Sequence, residues 1–138
     1  MIVIPGDKTV YVDCDDTIAF WSSSKEDKEM NGIAVTCPGS MVFDTDGEEI
    51  GFAGEWTELL VPNWPQINEL KKFKVRNYKI ILWTQSGSLW AEAIAKAFKI
   101  EHLIDVCLTK PNYIFDDLPA SSFMPESRLI TKDKNENP

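Results

Sequence analysis

The chain has 138 residues, 43% hydrophobic and 26% charged, which fits one ordinary globular domain around one core. Its net charge of −8 repels phosphate backbones, so a long nucleic-acid footprint is not expected. No apolar run is long enough to span a bilayer, and Met1-Ile2-Val3-Ile4-Pro5-Gly6-Asp7 lacks the charged-then-apolar layout of a signal peptide.

Thr9-Val10-Tyr11-Val12 is a short apolar run that reads as a buried strand ending at Asp13. Residues 18–62 differ in character, being polar and turn-rich. Within them Met41-Val42-Phe43 and Ile50-Gly51-Phe52 flank Asp44-Thr45-Asp46-Gly47, a β-hairpin pattern. Ile67, Leu70 and Phe73 predict a helix over about 65–76, with Asn77 as its stop. Lys79-Ile80-Ile81-Leu82-Trp83 is a second apolar strand, ending at Thr84. Ser86-Gly87-Ser88 then caps a helix whose one face carries Trp90, Ile94, Ala97 and Phe98. Further strands are predicted at Leu103–Leu108, at Asn112–Phe115 ending in Asp116-Asp117, and at an edge over Arg128–Thr131, with a frayed polar tail from Lys132.

Apolar strands alternating with helices indicate an α/β fold with a central parallel sheet covered on both faces. Ligands bind such sheets at the carboxyl ends of the strands. Asp13, Thr84, Lys110 and Asp116 all follow predicted strands, so four residues distant in sequence are expected in one crevice.

Asp13-Cys14-Asp15-Asp16-Thr17 sets two carboxylates two residues apart as the strand enters a turn. One carboxylate can attack phosphorus and form an aspartyl-phosphate. A second can protonate the leaving group and then deprotonate the water that cleaves the intermediate. Such a cluster beside a phosphate dianion needs cations, and hard oxygen ligands select Mg²⁺. Asp116-Asp117 supplies further ligands and Lys110 a fixed positive charge. The Thr84 hydroxyl can hold phosphate oxygens. Taken singly each has a plainer reading: turn and cap residues for Asp15 and Asp16, a β-branched strand residue for Thr84, a solvated Lys110, a loop start for Asp116-Asp117. Their joint order favours the site.

In that order the chain resembles the haloacid dehalogenase (HAD) superfamily of phosphatases. The first motif of that family is matched by Val10-Tyr11-Val12-Asp13-Cys14-Asp15-Asp16-Thr17, and the second by Ile80-Ile81-Leu82-Trp83-Thr84. Lys110 stands for the third motif, and Tyr113-Ile114-Phe115-Asp116-Asp117 for the fourth. The resemblance implies a Rossmann-like three-layer α/β/α fold in one domain, with residues 18–62 as a small flap inserted after the first strand. It implies Asp13 as nucleophile and metal ligand, and Asp15 as acid/base with its backbone carbonyl on Mg²⁺. Asp116 would bind the metal with Asp117 supporting it, while Thr84 and Lys110 hold the phosphoryl group. Two departures stand out: Asp16 occupies a position where the family commonly has Gly, and Lys110 lies close to Asp116.

A rival of another class is the phospho-acceptor receiver domain, a signalling switch in which Asp15-Asp16, Asp44, Thr84 and Lys110-Pro111 would take the roles. Residues 18–40 are short for the helix-strand-helix it needs, and Asp116-Asp117 would have no purpose. A phosphatase-like fold kept only for binding partners is a third reading. Asp44-Thr45-Asp46-Gly47 repeats the Asp-x-Asp pattern, but Glu48 follows where Thr is expected, and a hairpin turn explains it.

Substrate choice falls to residues 18–62, because Thr84 to Lys110 holds only a helix and a strand. An open site suits a small phosphomonoester such as a nucleotide or sugar phosphate, or a polynucleotide end-phosphate, or closure by a second copy of the chain. Trp21 and Trp56 either stack on a base or sugar or cover the flap's own small core. Cys14, Cys37 and Cys107 share no ligand spacing and read as buried thiols of a reducing, cytoplasmic compartment. The lone His102 gives no support to a histidine metal site or a Ser-His-Asp triad.

Overall fold

The computed structural model describes residues 8–124. In chain order its elements are β1 (Thr9–Asp13), β2 (Ala19–Phe20), α1 (Lys25–Asn31), β3 (Ile33–Cys37), β4 (Ser40–Phe43) and β5 (Glu49–Ala53). There follow β6 (Trp56–Pro62), α2 (Trp64–Val75), β7 (Lys79–Thr84), α3 (Ser88–Ala97) and β8 (Val106–Thr109). The protein is mixed α/β, with a parallel sheet in the order β1-β7-β8.

β7 is the central strand and the most apolar one. Ile80, Ile81 and Leu82 are buried, as expected for a strand with a neighbour on each side and packing on its faces. The helix before it starts at Trp64 with Pro65 in its first turn, where a missing N–H costs nothing. It stops at Asn77, whose φ of 64° is left-handed. Ile67 and Leu70 face the core as their spacing predicts. Helix α3 buries Trp90, Ala91, Ala93, Ile94 and Ala95, but its cap differs from expectation. Gly87, at φ 103°, is the cap residue and offers no side chain; the Thr109 hydroxyl accepts the Ser88 N–H at 2.9 Å instead. A helix start is thereby tied to the end of β8.

Residues 18–62 contain the predicted hairpin, β4 against β5, and more besides. An antiparallel sheet in the order β2-β6-β3, with the short α1 between its strands, makes up the rest. Val35 and Leu60 are fully buried and Cys37 nearly so, in one cluster with Ile80, Leu82 and Ile94. The insertion therefore contributes to the core under the parallel sheet, where the sequence alone suggested a hairpin-bearing flap.

Two predicted strands need correction. The strand placed at Leu103–Leu108 begins as a 3₁₀ turn at Glu101–Leu103, and only Val106–Thr109 pairs with β7. Asp105 explains the delay: its N–H binds the Ile80 carbonyl at 2.9 Å while its carboxylate turns back to the Ile80 N–H at 2.7 Å and to Lys74. Asn112–Phe115 is not a strand; it is irregular and exposed, with Tyr113 at 90%. A parallel neighbour would require the chain to return to the opposite edge of the sheet, which takes a crossover of about a dozen residues. Only Lys110 and Pro111 separate that run from β8. The strand predicted at Arg128–Thr131 and the tail beyond lie outside the described residues.

The Ile80 N–H bond, then the Lys74 ammonium, hold the Asp105 carboxyl below the ordinary carboxylate range. A carboxyl depressed in the folded state stabilises above its unfolded pKa, about 4, and that contribution fades as pH falls through the folded value. Asp105→Asn should therefore lower unfolding free energy by about 1 kcal/mol near neutral pH. In urea titrations the gap from the parent chain should shrink below about pH 4.

Candidate active site

Parallel pairing sets the site. Asp13 ends β1 opposite Trp83, and Thr84 ends β7 opposite Thr109, so the carboxyl ends of the three strands lie side by side. Lys110 follows directly, and its N–H binds the Thr84 carbonyl at 3.0 Å. From that anchor its amine reaches Asp13 Oδ1 at 3.2 Å and passes over the Trp83 ring at 5.8 Å. The short link from Lys110 to Asp116 thus does not prevent the amine from meeting the nucleophile candidate. Asp13 Oδ2 accepts the Thr17 hydroxyl at 3.2 Å, which gives the threonine of the first motif its use. The Asp13 side chain remains 34% exposed, open to a ligand.

After β1 the chain wraps tightly around one atom. The Cys14 carbonyl accepts N–H groups from Thr17, Ile18 and Ala19 at 3.0–3.2 Å, and Asp16 N–H binds the Ala19 carbonyl at 2.8 Å. This turn needs a left-handed residue, and Asp16 supplies it with φ 61°. Gly adopts such a φ without cost, while Asp is among the few other residues that tolerate it. Asp16 in place of Gly is thus compatible with the turn. Asn63, 3% exposed, braces the turn from the start of α2: its amide donates to the Thr17 carbonyl at 2.9 Å and its N–H to the Ile18 carbonyl at 2.8 Å. Cys14 lies inside the turn. Burial first, then the Asp15 and Asp13 charges, push its thiol far above the ordinary range, so it has no nucleophilic use.

Asp15 is the most heavily bonded side chain of the site. Its Oδ1 accepts the indole N–H groups of Trp21 at 2.7 Å and Trp90 at 3.0 Å. Its Oδ2 accepts the hydroxyls of Thr84 and Ser86, both at 3.2 Å. A carboxylate has about four lone-pair directions, and all four are in use. Thr84, 1% exposed, also accepts the Ser86 N–H at 3.1 Å. Its hydroxyl serves Asp15 in this arrangement, whereas the sequence assigned it to the phosphoryl group.

Asp116 and Asp117 are not brought to this cluster. Both are exposed, and Asp116 Oδ1 accepts the Leu118 N–H at 2.9 Å in a local turn. The strand that was to carry them does not form, for the topological reason given above. Among the described residues no group of three acidic, His or Cys side chains is arranged to hold a metal ion. Of the expected ligands, Asp116 and Asp117 are exposed in a local turn, and the open carboxylate, Asp13, already faces an ammonium. The set Asp13, Asp15, Asp116 and Asp117 does not fit Mg²⁺ as assembled, and the local cation is Lys110.

Asp44 belongs to the hairpin tip, where its Oδ1 accepts the N–H groups of Asp46 and Glu48 at 2.9 and 2.8 Å, with Gly47 at φ 81°. A phospho-acceptor role would need it at the strand ends, and it is not there. No family model, no curated protein and no solved structure matches the chain.

Sequence reasoning missed Trp90, Ser86 and Asn63 as site residues; of its two readings of Trp21, packing in a core is the one seen, with the added bond to Asp15. Trp90 reads as an apolar helix face, yet an indole N–H taken into a core must find an acceptor, and the nearest carboxylate motif was the place to look. The left-handed turn yields a test. Asp16→Val and Asp16→Gly both lose the Asp16 Oδ1 contact with the Trp21 N–H, so their difference isolates the backbone. Asp16→Val should be less stable than Asp16→Gly by about 1–2 kcal/mol in urea denaturation.

Proposed function

We propose that the chain is a phosphomonoester hydrolase of HAD type, with the three-layer α/β/α arrangement of that superfamily, acting on a small cytoplasmic phosphomonoester such as a nucleotide or sugar phosphate. The observation that carries this reading is the Asp13–Lys110 pair at the strand ends, two residues from a carboxylate held by four donors. An exposed carboxylate beside one ammonium is suited to attack on a phosphoryl group whose oxygens the same ammonium attracts.

An Asp13 carboxylate oxygen attacks phosphorus, and the bond from phosphorus to the leaving oxygen breaks. That oxygen takes a proton from Asp15. A water then gives its proton to Asp15 and attacks phosphorus, the bond to Asp13 breaks, and phosphate leaves. Lys110 offsets the charge of the dianion throughout. Thr17 steadies the attacking carboxylate, while Thr84 steadies Asp15. The net charge of −8 disfavours long polynucleotides, which leaves a polynucleotide end-phosphate as the largest substrate in view. The three unpaired thiols suit a reducing compartment. Among the described residues no helix is long and apolar enough to cross a membrane.

Purified protein should turn over p-nitrophenyl phosphate, assayed with added Mg²⁺ and with chelator, so that magnesium dependence is read directly. Asp13→Asn should lower kcat more than about 1,000-fold. Wild-type turnover in that variant would refute the nucleophile. Asp15→Asn should lower kcat about 100-fold on an alkyl phosphate such as benzyl phosphate, and less on p-nitrophenyl phosphate, while phosphate inhibits as strongly as before. A panel of nucleoside monophosphates, sugar phosphates and 3′-phosphorylated oligonucleotides identifies the substrate class.

A further inference from the structure

Three tryptophans from three parts of the chain pack together, and two of them bond to Asp15. Trp21 follows β2, Trp56 opens β6 and Trp90 lies in the first turn of α3. The rings of Trp56 and Trp90 stack at 4.6 Å, and Trp21 lies 5.8 Å from Trp90 and 6.4 Å from Trp56. The two that face Asp15, Trp21 and Trp90, both direct their N–H to the same oxygen, Oδ1. An indole N–H donates and cannot accept, so Oδ1 is confined to accepting. The groups on Oδ2 are hydroxyls, which donate or accept by rotating. Thr84 is buried and Ser86 exposed. The two oxygens of this carboxylate therefore stand in chemically different surroundings.

We propose that Trp21 and Trp90 are positioning residues for Asp15, which hold its carboxylate in one orientation with Oδ1 locked and Oδ2 left as the oxygen that serves the reaction. The proposal rests on the phosphatase reading and adds to it a role for the insertion, since Trp21 belongs to residues 18–62. A merely structural role, in which Asp15 satisfies two indole groups of the core, would affect folding but not the kind of substrate turned over. The difference lies in the leaving group. p-Nitrophenolate departs with little help from an acid, whereas an alkoxide needs a well-placed one.

The test compares p-nitrophenyl phosphate with benzyl phosphate, in the parent chain and in Trp21→Phe, Trp90→Phe and Asp15→Asn. Trp21→Phe keeps an aromatic ring in the cluster and removes only the N–H side of the indole, so it serves even if the buried Trp90→Phe fails to fold. Trp21→Phe should lower kcat for benzyl phosphate about 10-fold, with KM unchanged, and kcat for p-nitrophenyl phosphate no more than about 2-fold. Asp15→Asn should show the same bias, larger. Equal losses on both substrates, or a loss confined to KM, would overturn the positioning role while leaving the phosphatase reading intact. No turnover by the parent chain would overturn both. Indole ¹H–¹⁵N resonances give an independent reading: those of Trp21 and Trp90 should move upfield in Asp15→Ala, and unmoved resonances would overturn the clamp.

Discussion

A half-buried carboxylate has about four lone-pair directions, and Asp15 fills them with donors from residues 21, 84, 86 and 90. Meeting that demand brings together the insertion, the end of the central strand, the loop after it and the first turn of α3. Much of the local geometry follows. The turn after β1 must deliver Asp15 to this point, so it closes on the Cys14 carbonyl and accepts a left-handed Asp16. Asn63 must then satisfy the carbonyls that the turn leaves inside.

Asp13 is arranged on another plan. It is partly exposed and touches one cation and one hydroxyl. Two carboxylates only two residues apart thus have unlike partners, one bonded to four donors and the other to one cation and one hydroxyl. That inequality comes from chain geometry. β1 runs straight to Asp13 and turns only afterwards, so Asp13 projects from a strand end while Asp15 is carried round among the tryptophans.

Much of this was legible in the sequence. The runs Thr9–Val12 and Lys79–Trp83 could be placed as strands, and the residues that follow them, Asp13 and Thr84, stand at the strand ends as expected. Ile67 and Leu70 fixed the face of α2, and Asp44 to Gly47 gave the hairpin turn. What stayed hidden depended on partners far along the chain. Tyr113-Ile114-Phe115 has strand-like composition, but a strand also needs a neighbour it can reach, and a two-residue link from β8 denies it one. Asp116 and Asp117 went astray with it, and with them the expected magnesium set. Trp21 and Trp90 were visible as apolar residues while their N–H groups, the part that matters here, leave no trace in a hydrophobic pattern. Ser86 and Asn63 were ordinary polar residues until the fold gave them acceptors.

Val35, Cys37 and Leu60 share a core with Ile80, Leu82 and Ile94. Such sharing removes modularity. An insertion that sat on the sheet as a separate lid could be exchanged for another, by recombination or by design, at little risk to folding. Here the exchanged segment would carry away part of the interior and one of the donors on Asp15. Change within 18–62 must then go residue by residue, each step constrained by the core it helps to fill.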